Sequence, residues 1–437
     1  MNLNIYLMSL RQHKKSTVLW TLTLALLIVL GMAFYPPISQ SLSEIEVIFE
    51  NPMMKGMLNL FAVGPDQLGS LSGFYMTYAS IYVILIGGIF AMMTAVSDVG
   101  GELRDKTFEY LLTKPVKRWE VLVSKTLAIL SRIMLVTVGL CLTTLLSFAF
   151  FSKDAPLQYH TSESALKNVR NVIEDNPQGV QYIWTLDDKF FMGWLVDKAY
   201  ASLPSRENVQ EDIELDDETI RTVLNRLERD PYAFFDEILE NPSEHMQLFG
   251  IPENQRSDFI EGVKETRQAF DDMKERFYSD PSFLGQMFSS QPEYFLRQIK
   301  SSESLETFKT VFPSAQKDID VLVSPYKVKD ILVFHTYLFF FMVVLSAMGV
   351  CLSVCLKNPK NIVTIGTGLV LFLYFLSTIM KISQTTSAYV WMTPFGLIDQ
   401  AMGRAMYRLK AFNIGLLTAE AVFLFGLSIA LFEKKDI

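Results

Sequence analysis

Only three cysteines occur in the 437 residues, Cys141, Cys351 and Cys355, and all three fall inside long apolar runs. A disulfide-stapled exterior is therefore excluded, and any soluble part must hold itself together by packing. Cys351 and Cys355 sit four apart on one helical face, where two thiols without further ligands are packing residues and no metal site is expected. No glycine is followed by lysine, which excludes a Gly-x-x-x-x-Gly-Lys-Ser/Thr phosphate loop. None of the four histidines precedes a glutamate, which removes the His-Glu-x-x-His zinc pattern. No Gly-x-Ser-x-Gly turn occurs either. The chain is thus expected not to be an enzyme and to carry no cofactor of its own.

Apolar sequence is abundant: half of the chain, including 33 Phe and 20 Met. A bilayer core takes roughly 20 apolar residues per helix. Six runs meet or approach that length: Val18–Tyr35, Phe74–Val96, Ile133–Phe151, Ile331–Leu356, Ile362–Met380 and Ala411–Phe432. Cys and Tyr aside, Glu420 and His335 are the ionisable residues within them. The expectation is an all-α membrane protein with six transmembrane helices. The first run is too long, and too poorly followed by a small-residue cleavage site, for a removable signal peptide.

Lys and Arg near the helix ends set the orientation. Segments 1–17, 97–132, 357–361 and 433–437 hold 14 of them in 63 residues, whereas 36–73 and 381–410 hold 5 in 68. Both termini are expected in the cytoplasm, with Arg132 snorkelling from the inner end of the third helix. The same alternation places 152–330 outside, as a large extracytoplasmic insert between helices 3 and 4. That insert carries 20 Lys/Arg against 34 Asp/Glu. A surface of this sign repels phosphate, so nucleic acid is excluded as a partner.

Four segments follow: 1–17 as an interfacial helix, 18–151 with helices 1–3, 152–330 as the extracytoplasmic domain, and 331–437 with helices 4–6. In the first, Leu3, Tyr6, Leu7 and Leu10 recur at helical spacing before Arg11, His13, Lys14 and Lys15, a pattern suited to lying on membrane lipid. Pro36-Pro37 is expected to stop the first span. In the insert, Asp230-Pro231, Asn241-Pro242, Asp280-Pro281 and Gln291-Pro292 place Pro at first helical positions, so the domain is expected to be α-rich. Thr393-Pro394-Phe395-Gly396 opens a further short helix or re-entrant element. Gly87-Gly88, Gly349, Gly366 and Gly368 are expected to allow close helix packing.

Between the second and third runs lies a charged, helix-forming segment, 97–125. Glu102, Thr107, Leu111-Leu112, Pro115, Arg118 and Lys125 follow one another there at fixed spacing. This pattern resembles the cytoplasmic coupling segment of ABC-2 type permeases, which commonly show Glu, Gly-Thr, Leu-Leu-x-x-Pro-x-x-Arg and then Lys. Lys106 stands where the family often has Gly. The ending from Phe432 to Ile437 is also similar to the family's, and the resemblance covers 1–151 and 331–437, leaving the insert outside it. It implies a permease subunit of an ATP-driven exporter, working with separate ABC ATPase subunits that hold ATP and Mg, and with a second permease subunit, the same or related. Glu102, Thr107, Leu112, Pro115 and Arg118 would be the ATPase-coupling residues. Pro115 is a natural corner between the lever and the third span, and Arg118 is expected to pair with Glu102 or with a partner carboxylate.

Ionisable groups inside the membrane are candidates for a translocation path. Glu420 and His335 are therefore named, the first also as a partner for a hydroxyl such as Thr418, the second as a wetted structural histidine. An alternative class keeps the ATPase but makes the extracytoplasmic domain a receptor for a peptide or antibiotic without bulk transport. A third makes the chain a membrane-anchored scaffold. A bacterial plasma membrane is the expected location; cargo is not legible.

Overall fold

In the computed structural model the described residues are 2–40, 70–105, 116–155, 157–160, 162–176, 178–179, 182, 226, 231–248, 251–280, 282–283, 293, 296, 299, 302–356, 361–381, 384–401 and 410–434. They form two compact units: 1–156 with 325–437, and 157–324.

The first unit contains six helices long and apolar enough to cross a membrane: Lys14–Ser39, Leu71–Arg104, Arg118–Phe151, Val328–Cys355, Ile362–Met380 and Ala411–Lys434, called spans 1 to 6 here. The chain is a multi-pass membrane protein. Spans 2 and 4 are its centre, with 65% and 61% of their apolar windows buried against 22% in span 5 and 17% in span 6. Glycine makes that centre possible. A Cβ on Gly88 would lie 2.7 Å from Leu345 Cδ1, and one on Gly349 would lie 2.8 Å from Ala95 Cβ. Gly87 and Gly366 also face neighbouring side chains, but Gly368 meets open space and serves no such packing. The outward faces of the other spans stay apolar, as Leu19, Leu22, Leu26 and Phe34 of span 1 and Phe372, Phe375 and Ile379 of span 5 are exposed. Such faces suit lipid or another subunit.

Three local expectations change. Pro36-Pro37 does not stop span 1: after a turn at Phe34 the prolines enter a short helix, Tyr35–Gln40, where a missing N–H near a helix start costs nothing. Span 2 does not end at Val96 but runs on to Arg104, through π-helical stretches at Ala79–Val83 and Val96–Gly100. Span 3 starts at Arg118, earlier than the apolar run, where Lys117 N–H donates to Glu120 Oε2 at 3.4 Å. The helix Pro394–Ala401 forms where Thr393-Pro394 announced it, with Thr393 Oγ1 accepting from Gly396 N at 3.0 Å. Met402, Arg404, Met406 and Arg408 lie outside the described residues, as do Pro281, Pro292, the acidic stretch 207–218 and the ending 435–437.

The second unit is closed at its own ends. Strands β1 (Gln158–Tyr159) and β2 (Val323–Ser324) pair antiparallel, so the chain enters and leaves this unit side by side. Its helices are Glu163–Asp175, Pro231–Glu240, Pro242–Leu248, Arg256–Ser279, Ser302–Val311 and Gln316–Leu322. Pro231 and Pro242 open two of them, and Asp280 Oδ1 accepts from the N–H groups of Ser282 and Phe283. Ala165, Val169 and Ile173, at intervals of four, bury one face of the first helix in a cluster with Phe308, Phe312, Ile319 and Leu322. Lys309 is drawn down by burial, yet bonds to Asp320 and Glu306 outweigh this and hold its ammonium above the ordinary lysine range.

Candidate functional site, a buried polar junction

The N-terminal helix, Leu3–Gln12, starts with Asn2 as N-cap, whose side chain accepts from Asn4 N and Ile5 N. It buries Ile5 and Ser9, while Leu3, Leu7 and Met8 are exposed. The helix is therefore two-faced, as an interfacial helix requires, but its inner face is partly polar. Asn2 N donates to Ser124 Oγ at 2.8 Å, and the Tyr6 and Ser131 hydroxyls are 2.9 Å apart. Both contacts fasten it along span 3.

Asp98 lies at the centre of the junction, in the second π-helical stretch of span 2, and is fully buried. Its Oδ2 accepts from Ser9 Oγ at 3.1 Å and from Arg132 Nη2. Its Oδ1 stands 2.6 Å from His13 Nε2. One turn on, Glu102 Oε1 pairs with Lys125 Nζ at 2.6 Å, and the same ammonium lies 3.4 Å from the Asp98 carbonyl oxygen. Lys125 is 1% exposed and Arg132 5%. A buried charge is tolerated only when paired and hydrogen-bonded; the two carboxylates are each paired with a cation, while Asp98 Oδ1 and Arg132 Nε make no hydrogen bond among the described residues. Arg132 thus does not snorkel. Asp98, now inside the helix because span 2 continues past Val96, holds the guanidinium in protein.

The sequence-derived coupling residues distribute as follows. Glu102 is half-buried against Lys125, and Arg118 is the first helical residue of span 3. Thr107, Leu112 and Pro115 lie outside the described residues, as do Lys106 and Leu111. At the edge of that stretch Arg104 and Asp105 are exposed and make a forked pair, Nε–Oδ1 2.8 Å and Nη2–Oδ2 3.2 Å. The Arg104 hydrogen bond holds the Asp105 carboxyl below the usual carboxylate range. Asp98 and Ser9 were not picked out from the sequence, and His13 only as part of the basic end of an interfacial helix. The available signal was spacing: Asp98 and Glu102 at i, i+4 and Lys125 and Arg132 at i, i+7 each place two charges of one sign on one helix face.

Away from the junction, His335 is buried rather than wetted. Its Nδ1–H donates to Ile331 O at 2.8 Å, and Nε2 lies 3.3 Å from Thr144 Oγ1, which also meets the Tyr75 hydroxyl at 3.1 Å. Rings of Phe148 and Phe334 pack edge-on against Tyr75. This joins spans 2, 3 and 4. Glu420, in span 6, is half-buried, and its Oε2 is buried without a hydrogen-bond partner among the described residues. Thr418 does not serve it, since that hydroxyl donates to Ile414 O at 2.7 Å. Cys351 and Cys355 have their sulfurs 3.9 Å apart, and no group of three or more metal-ligating side chains occurs among the described residues.

Six spans with a charged, buried junction between the second and third define a multi-pass membrane protein. Residues 3–159 match the family model described as ABC-2 family transporter protein, which supports an ABC-2 type permease. The match takes in the N-terminal helix, spans 1 to 3 and the segment 97–125 between the second and third. Subunits of this family are the membrane part of an ABC transporter and are not themselves ATPases. No curated protein and no solved structure matches the chain.

Proposed function

We propose that the chain is the permease subunit of an ATP-driven exporter in the plasma membrane of a bacterium, with both termini in the cytoplasm and residues 157–324 outside. Separate ABC ATPase subunits, carrying ATP and Mg, press on the segment 97–125. Glu102, Thr107, Leu112, Pro115 and Arg118 form the contact, and a second permease subunit completes the path. The buried junction is the single observation that carries this reading. A force delivered between spans 2 and 3 needs a stiff attachment, and Asp98–Arg132 together with Glu102–Lys125 supplies two ties, each joining the start of the coupling segment to span 3 at its end. Isolated surface pairs contribute about 0–1 kcal/mol, too little to hold a lever; buried ones position more firmly. Glu420 is the path residue of this proposal, since its buried Oε2 has no hydrogen-bond partner among the described residues. His335 joins spans through Thr144 and serves closure of the path at that level. The exposed apolar flanks of spans 1, 5 and 6 face lipid or the second subunit.

Purification of the tagged chain from its native cells, followed by mass spectrometry, tests this directly. An ABC ATPase is expected to accompany it in stoichiometric amount. Well-folded protein that brings down no ATPase would overturn the proposal. A second reading has its own support in the separately closed, acidic unit 157–324: that unit receives an extracellular peptide or antibiotic. Binding of a cationic peptide to the full chain, with no ATP-dependent flux in vesicles, would favour it.

A further inference from the structure

We infer that Asp98 is a positioning residue that locks the N-terminal helix to the paired ends of spans 2 and 3, so that helix and coupling segment move as one body. The consequence for coupling rests on the permease reading; the lock itself does not.

A helix that only floats on lipid needs its apolar face and its basic end. This one has both in Leu3, Leu7, Met8 and Arg11, yet it also carries a second, protein-facing set of polar contacts. Ser9 and His13 reach the same carboxylate from the helix and from the joint that leads into span 1. Arg132 reaches it from span 3, and Lys125 meets the carbonyl of the same residue. One buried side chain thus gathers three elements distant in sequence, and Glu102 is the other carboxylate of the cluster. The π-helical stretch Val96–Gly100 bears on the aim of Asp98. One extra residue in a turn rotates the side chains beyond it by about 100° around the axis. The outer contacts, Asn2 with Ser124 and Tyr6 with Ser131, then align the helix along span 3 on either side of the hub. Such a network is cooperative, because losing its centre leaves Arg132 buried without its carboxylate. Motion of the coupling segment must therefore carry the N-terminal helix with it, or break the hub.

The experiment uses the full chain in its native complex, with the three native cysteines replaced by alanine and a reporter pair Tyr6→Cys/Ser131→Cys. The two native hydroxyl oxygens are 2.9 Å apart, and because a cysteine sulfur stops well short of a tyrosine hydroxyl, direct oxidation is out of reach and a short thiol-specific bis-maleimide should bridge the pair nearly completely. Linkage is read by mass spectrometry, alongside Mg-ATP turnover of the complex. Ser9→Ala with His13→Ala keeps the Asp98–Arg132 pair and releases only the helix. Linkage is expected to fall about fivefold or more, as loss of one or two kcal/mol implies. The ATPase should still co-purify, while its turnover no longer differs from that of the ATPase alone. Asp98→Asn should act in the same direction, and where it fails to fold the Ser9/His13 variant alone decides. Unchanged linkage in a monodisperse Ser9/His13 variant would overturn the lock. Lowered linkage with wild-type turnover would keep the lock and overturn its part in coupling. Absence of an ATPase from the wild-type preparation would sink the permease reading while leaving linkage readable.

Discussion

Arg132→Ala is expected to lower the stability of the folded chain by about 3–5 kcal/mol, the cost of stranding a buried carboxylate. Asp98 has no exposure to water, and Arg132 is its one guanidinium partner. His13 stands at the other oxygen and is neutral unless protonated, so it compensates the charge only in part. The companion variant separates charge from packing. Asp98→Leu with Arg132→Met removes both ions and fills the space with apolar side chains, a change that is often neutral or stabilising. Thermal unfolding in detergent should show a large drop for the single substitution and recovery for the double. A double variant as unstable as the single one would mean that packing, not the unpaired charge, sets the cost. The recovered double variant is nonetheless expected to have lost the hold on the N-terminal helix, because Ser9 and His13 then face a leucine.

Gly349→Ala is expected to cost about 1–3 kcal/mol through overpacking. Its new methyl would meet Ala95 Cβ at 2.8 Å and the backbone oxygen of Met92 at 3.1 Å, and a helix carbonyl cannot swing aside. Spans 2 and 4 would have to move apart along the most buried contact in the membrane unit. Gly368→Ala, with nothing within 4 Å of its Cβ, should stay within about 0.5 kcal/mol of wild type. The same unfolding measurement compares the two. Equal midpoints would show that spans 2 and 4 are not held as closely as the glycine contacts require.

Much of the membrane architecture is legible because burial in lipid leaves a coarse mark. Apolar runs of about bilayer length recur six times, and each falls within a span. The ends of those spans are less legible. Val96 looked like a boundary because Ser97 and Asp98 follow, yet helix continues through both: Asp98 is met inside by Ser9, His13 and Arg132, residues 34 to 89 positions away. A hydropathy window sees a charge and closes the span; it cannot see a partner on another helix. Arg132 was misplaced for the same reason, since snorkelling is what a lone arginine does. Pro36-Pro37 misled in the opposite sense, because two prolines mark a helix start as readily as a stop. In 157–324, Pro231 and Pro242 gave true helix starts from local chemistry alone, whereas the meeting of β1 and β2 depends on residues 164 and 166 apart. Glu420 was visible as an oddity in its run, and that its Oε2 has no hydrogen-bond partner among the described residues required coordinates.

The central claim is that a separate ATPase works on the segment between spans 2 and 3, and a photo-crosslink tests it most directly. A benzophenone amino acid in place of Thr107, in cells expressing the full chain, should on illumination attach to an ABC ATPase, whereas the same group at Leu22 on the outward face of span 1 should not. Efficient illumination of a folded, membrane-inserted chain that captures only lipid or the permease itself at position 107 would contradict the account.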